Sequence, residues 1–319
     1  MRRQSEKLVY VIPRALERER REVKVAELES FYTQLDSILR ENNIPARLLA
    51  NFDETMMNSS SRNRKVVVRR GLDRPSVPID DKVAHITLGC CVFADGHSLL
   101  PLAILDRKYI LRNIFEHVQA GFHWASQKSG WITSKIFHEW MTDVFIPHVN
   151  EQRFTYGLQD RWALLLVNGH SSRANPEMLV ECKLNKIFVV TYVSHSSALC
   201  QVLDRGIFLA FKTSLTTRKS NKSFKNAVEF RNELLRHSLL AWREATSPGT
   251  ILDAWEESGC WPVDRNKAIN LRNYPGLNLP APASPPPMNR TRAGFKISNR
   301  IMTSDQVIAE LQAQKKASK

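Results

Sequence analysis

Residues Trp162–Val167 read WALLLV, and Asn168-Gly169 follows at once. A continuous apolar run of this length, closed by turn-forming residues, is the pattern of a central strand covered on both faces. Downstream, Pro176–Leu184 predicts a helix and Ile187–Tyr192 (IFVVTY) a second buried strand. Upstream, Ser134–Val149 predicts a helix with Ile136, Phe137, Trp140 and Phe145 on one side. Two further strands, His85–Phe93 and Leu99–Leu105, flank Ala94-Asp95-Gly96-His97, whose Asp-Gly pair suits a tight hairpin. Residues 106–132 read as irregular. Ala46–Glu54 (ARLLANFDE) predicts a buried strand ending at Asp53. The order describes a mixed β-sheet flanked by helices, an α/β architecture.

The outer segments are simpler. Pro13–Asn43 reads as a helical lead-in, with Leu28, Phe31, Leu35 and Leu39 at helical spacing and Pro45 as its stop. Lys65–Arg69 predicts a short strand. From Asp204 to about Trp242 the pattern is helical and basic, and Ile251–Gly259 is a short helix stopped by Gly259 and Pro262. Beyond Pro275, NLPAPASPPPMNR is a proline-rich linker, and a last helix from Asp305 to Lys315 has Ser304 as its cap. The expected division is a lead-in over 1–46, the α/β domain over 47–270, and a largely disordered linker with a short helix over 271–319.

Of 319 residues, 43% are apolar, enough for a substantial core. Lys and Arg number 46 against 32 Asp and Glu, a net charge of +14 that favours a polyanionic partner or, equally, a solvated charged surface. Cys90, Cys91, Cys182, Cys200 and Cys260 form no C-x-x-C pair and suit a reducing compartment. No apolar run reaches the roughly 18 residues of a membrane span. The basic N-terminus lacks the apolar stretch of a secretory signal.

In open α/β sheets, ligand-binding groups gather where strands end. Asp53 and Asn168 fall at such ends, and Asp204 follows the strand IFVVTY and a Ser/His-rich loop. Three oxygen ligands brought together in this way would suit Mg²⁺, and paired Mg²⁺ ions serve phosphodiester cleavage. The competing reading is that these Asp and Asn residues cap turns.

The same residues carry a resemblance. NFDET at Asn51–Thr55 resembles the NxDET motif that opens the nuclease domain of pogo, Tigger and Fot transposases. CCVFADGHSLLPLAIL at Cys90–Leu105 is similar to their hairpin block, and SGWITSKIFHEWMTDVFIPHV at Ser129–Val149 to their GW-helix block. LLLVNGHSSR at Leu164–Arg173 resembles LLLDGHxSH, SHSSALCQVLDRGIFLAFK at Ser194–Lys212 resembles PHSSHLLQPLDxGxFxxxK, and AWEESGCWPVD at Ala254–Asp264 resembles the closing aromatic-Pro motif. Six blocks match in order over residues 14 to 265. Centromere protein B and the jerky-like proteins are relatives of that group. The resemblance implies an RNase H-like fold, a DDE endonuclease, DNA as partner, Mg²⁺ or Mn²⁺ as cofactor, a nuclear location and a homodimer. It assigns catalytic and metal-binding positions to Asp53, Asn168 and Asp204.

Asn168 departs from that pattern, which has Asp there. An amide brings neither charge nor a basic oxygen, so nuclease activity is expected to be impaired or lost. Arg173 stands where the motif has His, Ala198 where it has a second His, and Val202 where it has Pro. No helix-turn-helix pair of the kind that reads transposon ends is recognised in these residues. Phosphate contacts are expected from Arg62, Arg64, Lys65, Arg69 and Arg70, and from Lys212, Arg218 and Lys219 along the basic helix. His170 and His195 either support the site or are turn histidines with local hydrogen bonds. Two alternatives stand beside an inactive DNA-binding domain: an active nuclease in which Glu177 or another acid replaces the missing Asp, and an interaction scaffold that uses its Pro-rich tail. Asn168-Gly169 is also a pair that deamidates when flexible.

Overall fold

The computed structural model describes residues 23–57, 86–107, 121–218, 227–269 and 297–317. Among these, six strands form one sheet: β1 (Leu49–Met57), β2 (Ile86–Phe93), β3 (Leu102–Leu105), β4 (His123–Ser126), β5 (Ala163–Val167) and β6 (Ile187–Thr191). Their order is β4-β3-β2-β1-β5-β6, and β2 alone runs against the others. The helices are α1 (Val25–Glu41), α2 (Ser134–Trp140), α3 (Ile146–Tyr156), α4 (Pro176–Leu184), α5 (Ser197–Cys200), α6 (Ile207–Arg218), α7 (Ala227–Ala245), α8 (Pro248–Ser258), α9 (Arg265–Ala268) and α10 (Asp305–Ala317). This mixed sheet flanked by helices is the RNase H-like architecture that the resemblance implies.

Every residue of β5 is buried, as its unbroken apolar run requires of a strand between two parallel neighbours. On β1, successive side chains serve opposite faces. Phe52 packs against Phe137 and Trp140 of α2, with centroids 5.3 and 4.3 Å away. Its neighbour Asn51 points the other way, toward Leu203. The hairpin between β2 and β3 turns at Gly96, whose φ of +96° an L side chain rarely adopts. Helix α1 buries Leu28, Phe31, Tyr32, Leu35 and Leu39 in the same core as the sheet, and Tyr32 donates to the Ser258 carbonyl at 2.5 Å. The lead-in from Val25 is thus packed against the α/β unit.

The structure corrects several expectations. Strand β1 does not end at Asp53 but runs on to Met57, because β2 pairs with it as far as Met57↔Ile86. The span 106–132 is not wholly irregular: β4 adds to β3, its half-buried HWAS too short and mixed to show a period. The helix expected over Ser134–Val149 passes through a π turn at Met141–Phe145, which resets the hydrogen-bond ladder before Pro147, and continues to Tyr156. The basic segment after Asp204 is two helices, α6 and α7. The expected strand Lys65–Arg69 and the proline-rich linker lie outside the described residues.

Of the tail, expected as a largely disordered linker with a short helix, the described residues 297–317 are packed. Ile297–Thr303 runs along the outer edge of β6: Met302 N–H donates to Val189 O (2.7 Å) and Thr191 N–H to Arg300 O (3.0 Å), around a Val190↔Ile301 bridge. Helix α10 then buries Val307, Ile308 and Leu311 and pairs Lys315 with Glu177 of α4. An open sheet edge has backbone groups to satisfy, and this segment satisfies them. No helix among the described residues is long and apolar enough to cross a membrane.

Candidate functional site

The parallel ladder between β1 and β5 ends at Phe52↔Val167. The next residue on each strand is therefore Asp53 and Asn168, side by side where the strands part. The Asn168 amide donates from Nδ2 to Asp53 Oδ1 at 2.8 Å. Gln201, fully buried just before the 3₁₀ turn Val202–Asp204, donates from Nε2 to the other carboxylate oxygen, Oδ2. Both oxygens of Asp53 are thus held by side-chain amides.

A second amide fixes the frame. Asn51 is fully buried, donates to the Leu166 carbonyl of β5 (3.0 Å) and accepts Leu203 N–H (3.0 Å). One side chain therefore ties together β1, the end of β5 and the turn that carries Asp204. Asp204 itself is exposed, and its charge reaches Asp53. Neither Asn51 nor Gln201 was singled out from the sequence. Asn51 shares a strand face with Asp53 two positions on, and Gln201 lies three before Asp204. Asn51→Leu leaves the buried Leu203 N–H without an acceptor and is expected to cost about 1–3 kcal/mol, read as a lower urea midpoint; an unchanged midpoint would contradict the tie.

Burial pushes the Asp53 carboxyl well above the usual carboxylate range, and the negative charges of Glu54 and Asp204 push it the same way. The two amide donors favour the ionised form, and burial outweighs them. Gln201 Oε1 is buried without a partner. When Asp53 takes up a proton, a half-turn of that amide presents Oε1 as its acceptor.

Glu54, on the opposite face of β1, is paired with Arg173, which is fully buried and lies 4.1 Å over the Phe137 ring. The residue that replaces the motif's His thus compensates a half-buried acid. Arg173→Leu strands Glu54 and is expected to cost about 3–5 kcal/mol. Adding Glu54→Gln should recover most of that loss in the double variant, and a double variant as unstable as the single would refute the pairing.

His170 accepts Ser172 N–H at 3.2 Å and contacts Ser172 Oγ at 2.9 Å, the arrangement of a turn histidine. His195 is exposed at φ +61°. Glu177 is exposed and held below the usual carboxylate range by the Lys315 ammonium. It pairs with the tail helix, whereas the acid adjoining Asp53 is Glu54. Lys212 is exposed, and Arg218 pairs with Glu244. Arg62, Arg64, Lys65, Arg69, Arg70 and Lys219 lie outside the described residues.

Mg²⁺ or Mn²⁺ asks for several oxygens, most of them charged, turned toward one point. Here an amide NH₂ faces Asp53 at the position where a second carboxylate would serve. Among the described residues no three His, Cys, Asp or Glu side chains form a group that holds a metal. The donor set present does not fit the cation.

Fold and site define a class: an RNase H-like domain with an acidic position on its first strand and an amide where a second acid is expected. The chain matches the DDE superfamily endonuclease family over residues 83–255, more than half its length, and belongs to that family. The matched span holds Asn168 and Asp204 and begins after Asp53. Human jerky protein homolog is 28% identical over 189 residues, 56% of this chain and 31% of that protein. Human Tigger transposable element-derived protein 7 is 23% identical over 251 residues, 72% of this chain and 45% of that protein. The chain thus spans less than half the length of these relatives. Among solved structures, the Mos1 strand transfer complex has 10% identity and a TM-score of 0.46, covering 82% of this chain and 68% of that one.

Proposed function

We propose that this chain is a transposase-derived DNA-binding domain whose acidic site no longer hydrolyses phosphodiesters. The observation that carries the reading is the closure of Asp53 by the amides of Asn168 and Gln201. Metal-assisted cleavage needs concentrated negative charge to hold cations and activate water. An amide supplies none, and burial of Asp53 favours its neutral form as well. DNA binding is supported by the +14 charge of the chain and by family membership. Exposed Lys212 and the cluster Arg62, Arg64, Lys65, Arg69 and Arg70 would contact phosphates, fixing position without reading bases. A nuclear location belongs to the same proposal, since it rests on DNA as the partner.

Two assays test it. Linear DNA incubated with Mn²⁺ should be left uncut by wild type and Asp53→Ala alike; cutting by wild type that Asp53→Ala abolishes would overturn the inactive reading. DNA affinity should fall as salt rises, with a logarithmic slope of about 0.9 per phosphate contacted. Salt-independent or absent binding would overturn the DNA-binding half.

A further inference from the structure

Asn168-Gly169 is the sole Asn-Gly pair in the chain, and the backbone around it is unusual. Tyr192 N–H donates to Val167 O at 3.1 Å, so the next rung of the β5–β6 ladder would join Gly169 N–H to Tyr192 O. That carbonyl instead accepts Asn299 N–H from the C-terminal segment, at 3.0 Å. Gly169 N–H is left out of the ladder, on an exposed residue with no side chain to crowd the approach. The Asn168 side chain is held on both of its atoms. Oδ1 faces His170 N–H at 3.4 Å, where charge develops during attack on Cγ, and Nδ2 lies 2.8 Å from Asp53 Oδ1.

We propose that Asn168 is a deamidation site, at which the chain converts its own amide into the carboxylate that the family pattern carries there. Gly169 N attacks Asn168 Cγ and gives up its proton to solvent, closing a five-membered succinimide. The bond from Cγ to Nδ2 breaks, and the nitrogen leaves as ammonia with a proton taken from solvent. Water opens the ring. Attack at Cγ gives Asp in the normal chain, and attack at the main-chain carbonyl gives isoaspartate. The net change is consumption of one water and release of one ammonia, with no oxidant or cofactor. Only the normal-chain product restores a carboxylate beside Asp53. That consequence rests on the reading of Asn168 as a site position, whereas the conversion does not.

The C-terminal segment acts in this chemistry by claiming the Tyr192 carbonyl. Ser298 also lies against Gly169, 3.7 Å from where a Cβ would stand, which is ordinary contact. Gly169→Ala is therefore tolerated by the fold, while its methyl hinders the attacking nitrogen.

The test incubates wild type and Gly169→Ala in mildly alkaline buffer and follows residue 168 by peptide mass spectrometry that separates Asn, Asp and isoaspartate. Wild type should convert at 168 before any other asparagine, and Gly169→Ala should lose that conversion while keeping its thermal midpoint. An Asn168 that persists while Asn185 or Asn266 converts would overturn the proposal, as would equal rates in the two proteins. Aged wild type should also acquire a Mn²⁺-dependent rise in melting temperature in proportion to its normal-chain Asp. Conversion without that rise would overturn the restoration of the site. Neither readout depends on DNA, so a failure here is separable from a failure of the DNA-binding reading.

Discussion

Asn168→Asp is expected to lower stability in the absence of divalent cation and to recover it when Mn²⁺ is added, whereas wild type should show no response to Mn²⁺. The substitution removes the Nδ2 donor from Asp53 and sets a second carboxylate against one that burial already drives toward its neutral form. Two carboxylates so close cannot both ionise cheaply, and they share a proton or repel. An uncompensated buried charge costs about 3–5 kcal/mol, and the half-exposure of Asn168 reduces this to roughly 2 kcal/mol. For a chain of 319 residues that is a fall of roughly 3 °C in the thermal midpoint. A cation between the two acids removes the repulsion, and at a hundred times its Kd it adds about 2.7 kcal/mol. Thermal melts of both proteins, each with EDTA and with Mn²⁺, decide the matter. A variant as stable as wild type in EDTA, or a wild type that responds equally to Mn²⁺, would show that Asn168 does not occupy a metal-ligand position.

What could be read from the sequence follows from which features are local. The run ALLLV declares a buried central strand because both its faces must be apolar, and it fixed the place of Asn168 correctly. Asp53 was placed at the right height for a partly wrong reason. β1 continues past it, and only the β5 side of its ladder stops there. A strand that pairs on one edge beyond the point where it loses its other neighbour leaves no mark in its own composition. β4 was missed because HWAS is half-buried and depends on β3 for its pairing. Asn51 and Gln201 were missed because their roles are long-range: each touches backbone or side chains more than a hundred positions away. The meaning of Arg173 inverted for the same reason. Beside the motif it reads only as a departure from His, and only the fold reveals Glu54 against it.

The ordered tail carries the same lesson in the other direction. Its proline-rich approach suggested a free end, but β6 offers an unpaired edge that composition alone does not announce. The segment that satisfies this edge also takes the carbonyl of Tyr192, so it changes the backbone partners of the residue after Asn168. The tail and the acidic site are in this respect one structural unit.

Asp53→Asn should remove a pH dependence of stability that wild type shows. The folded carboxyl titrates well above the usual carboxylate range, pushed up by burial first and by Glu54 and Asp204 next, while in the unfolded chain it titrates near pH 3.9, about the ordinary Asp value. Below the unfolded value both states hold the proton, and the contribution to stability is fully present. As pH rises from there to the folded value, only the folded state retains the proton, so stability falls by about 1.4 kcal/mol per pH unit for this one group. Asn at position 53 is neutral throughout and nearly the same shape. Its oxygen accepts from Asn168 Nδ2, and its NH₂ finds the otherwise unpartnered Gln201 Oε1 once that amide makes its half-turn. The variant should therefore match wild type near pH 4 and exceed it increasingly toward neutrality. Urea midpoints of the two proteins measured across that interval give the difference directly. A difference that stays constant with pH would mean that Asp53 ionises as readily in the fold as in the open chain, and that the amides of Asn168 and Gln201, rather than burial, set its charge.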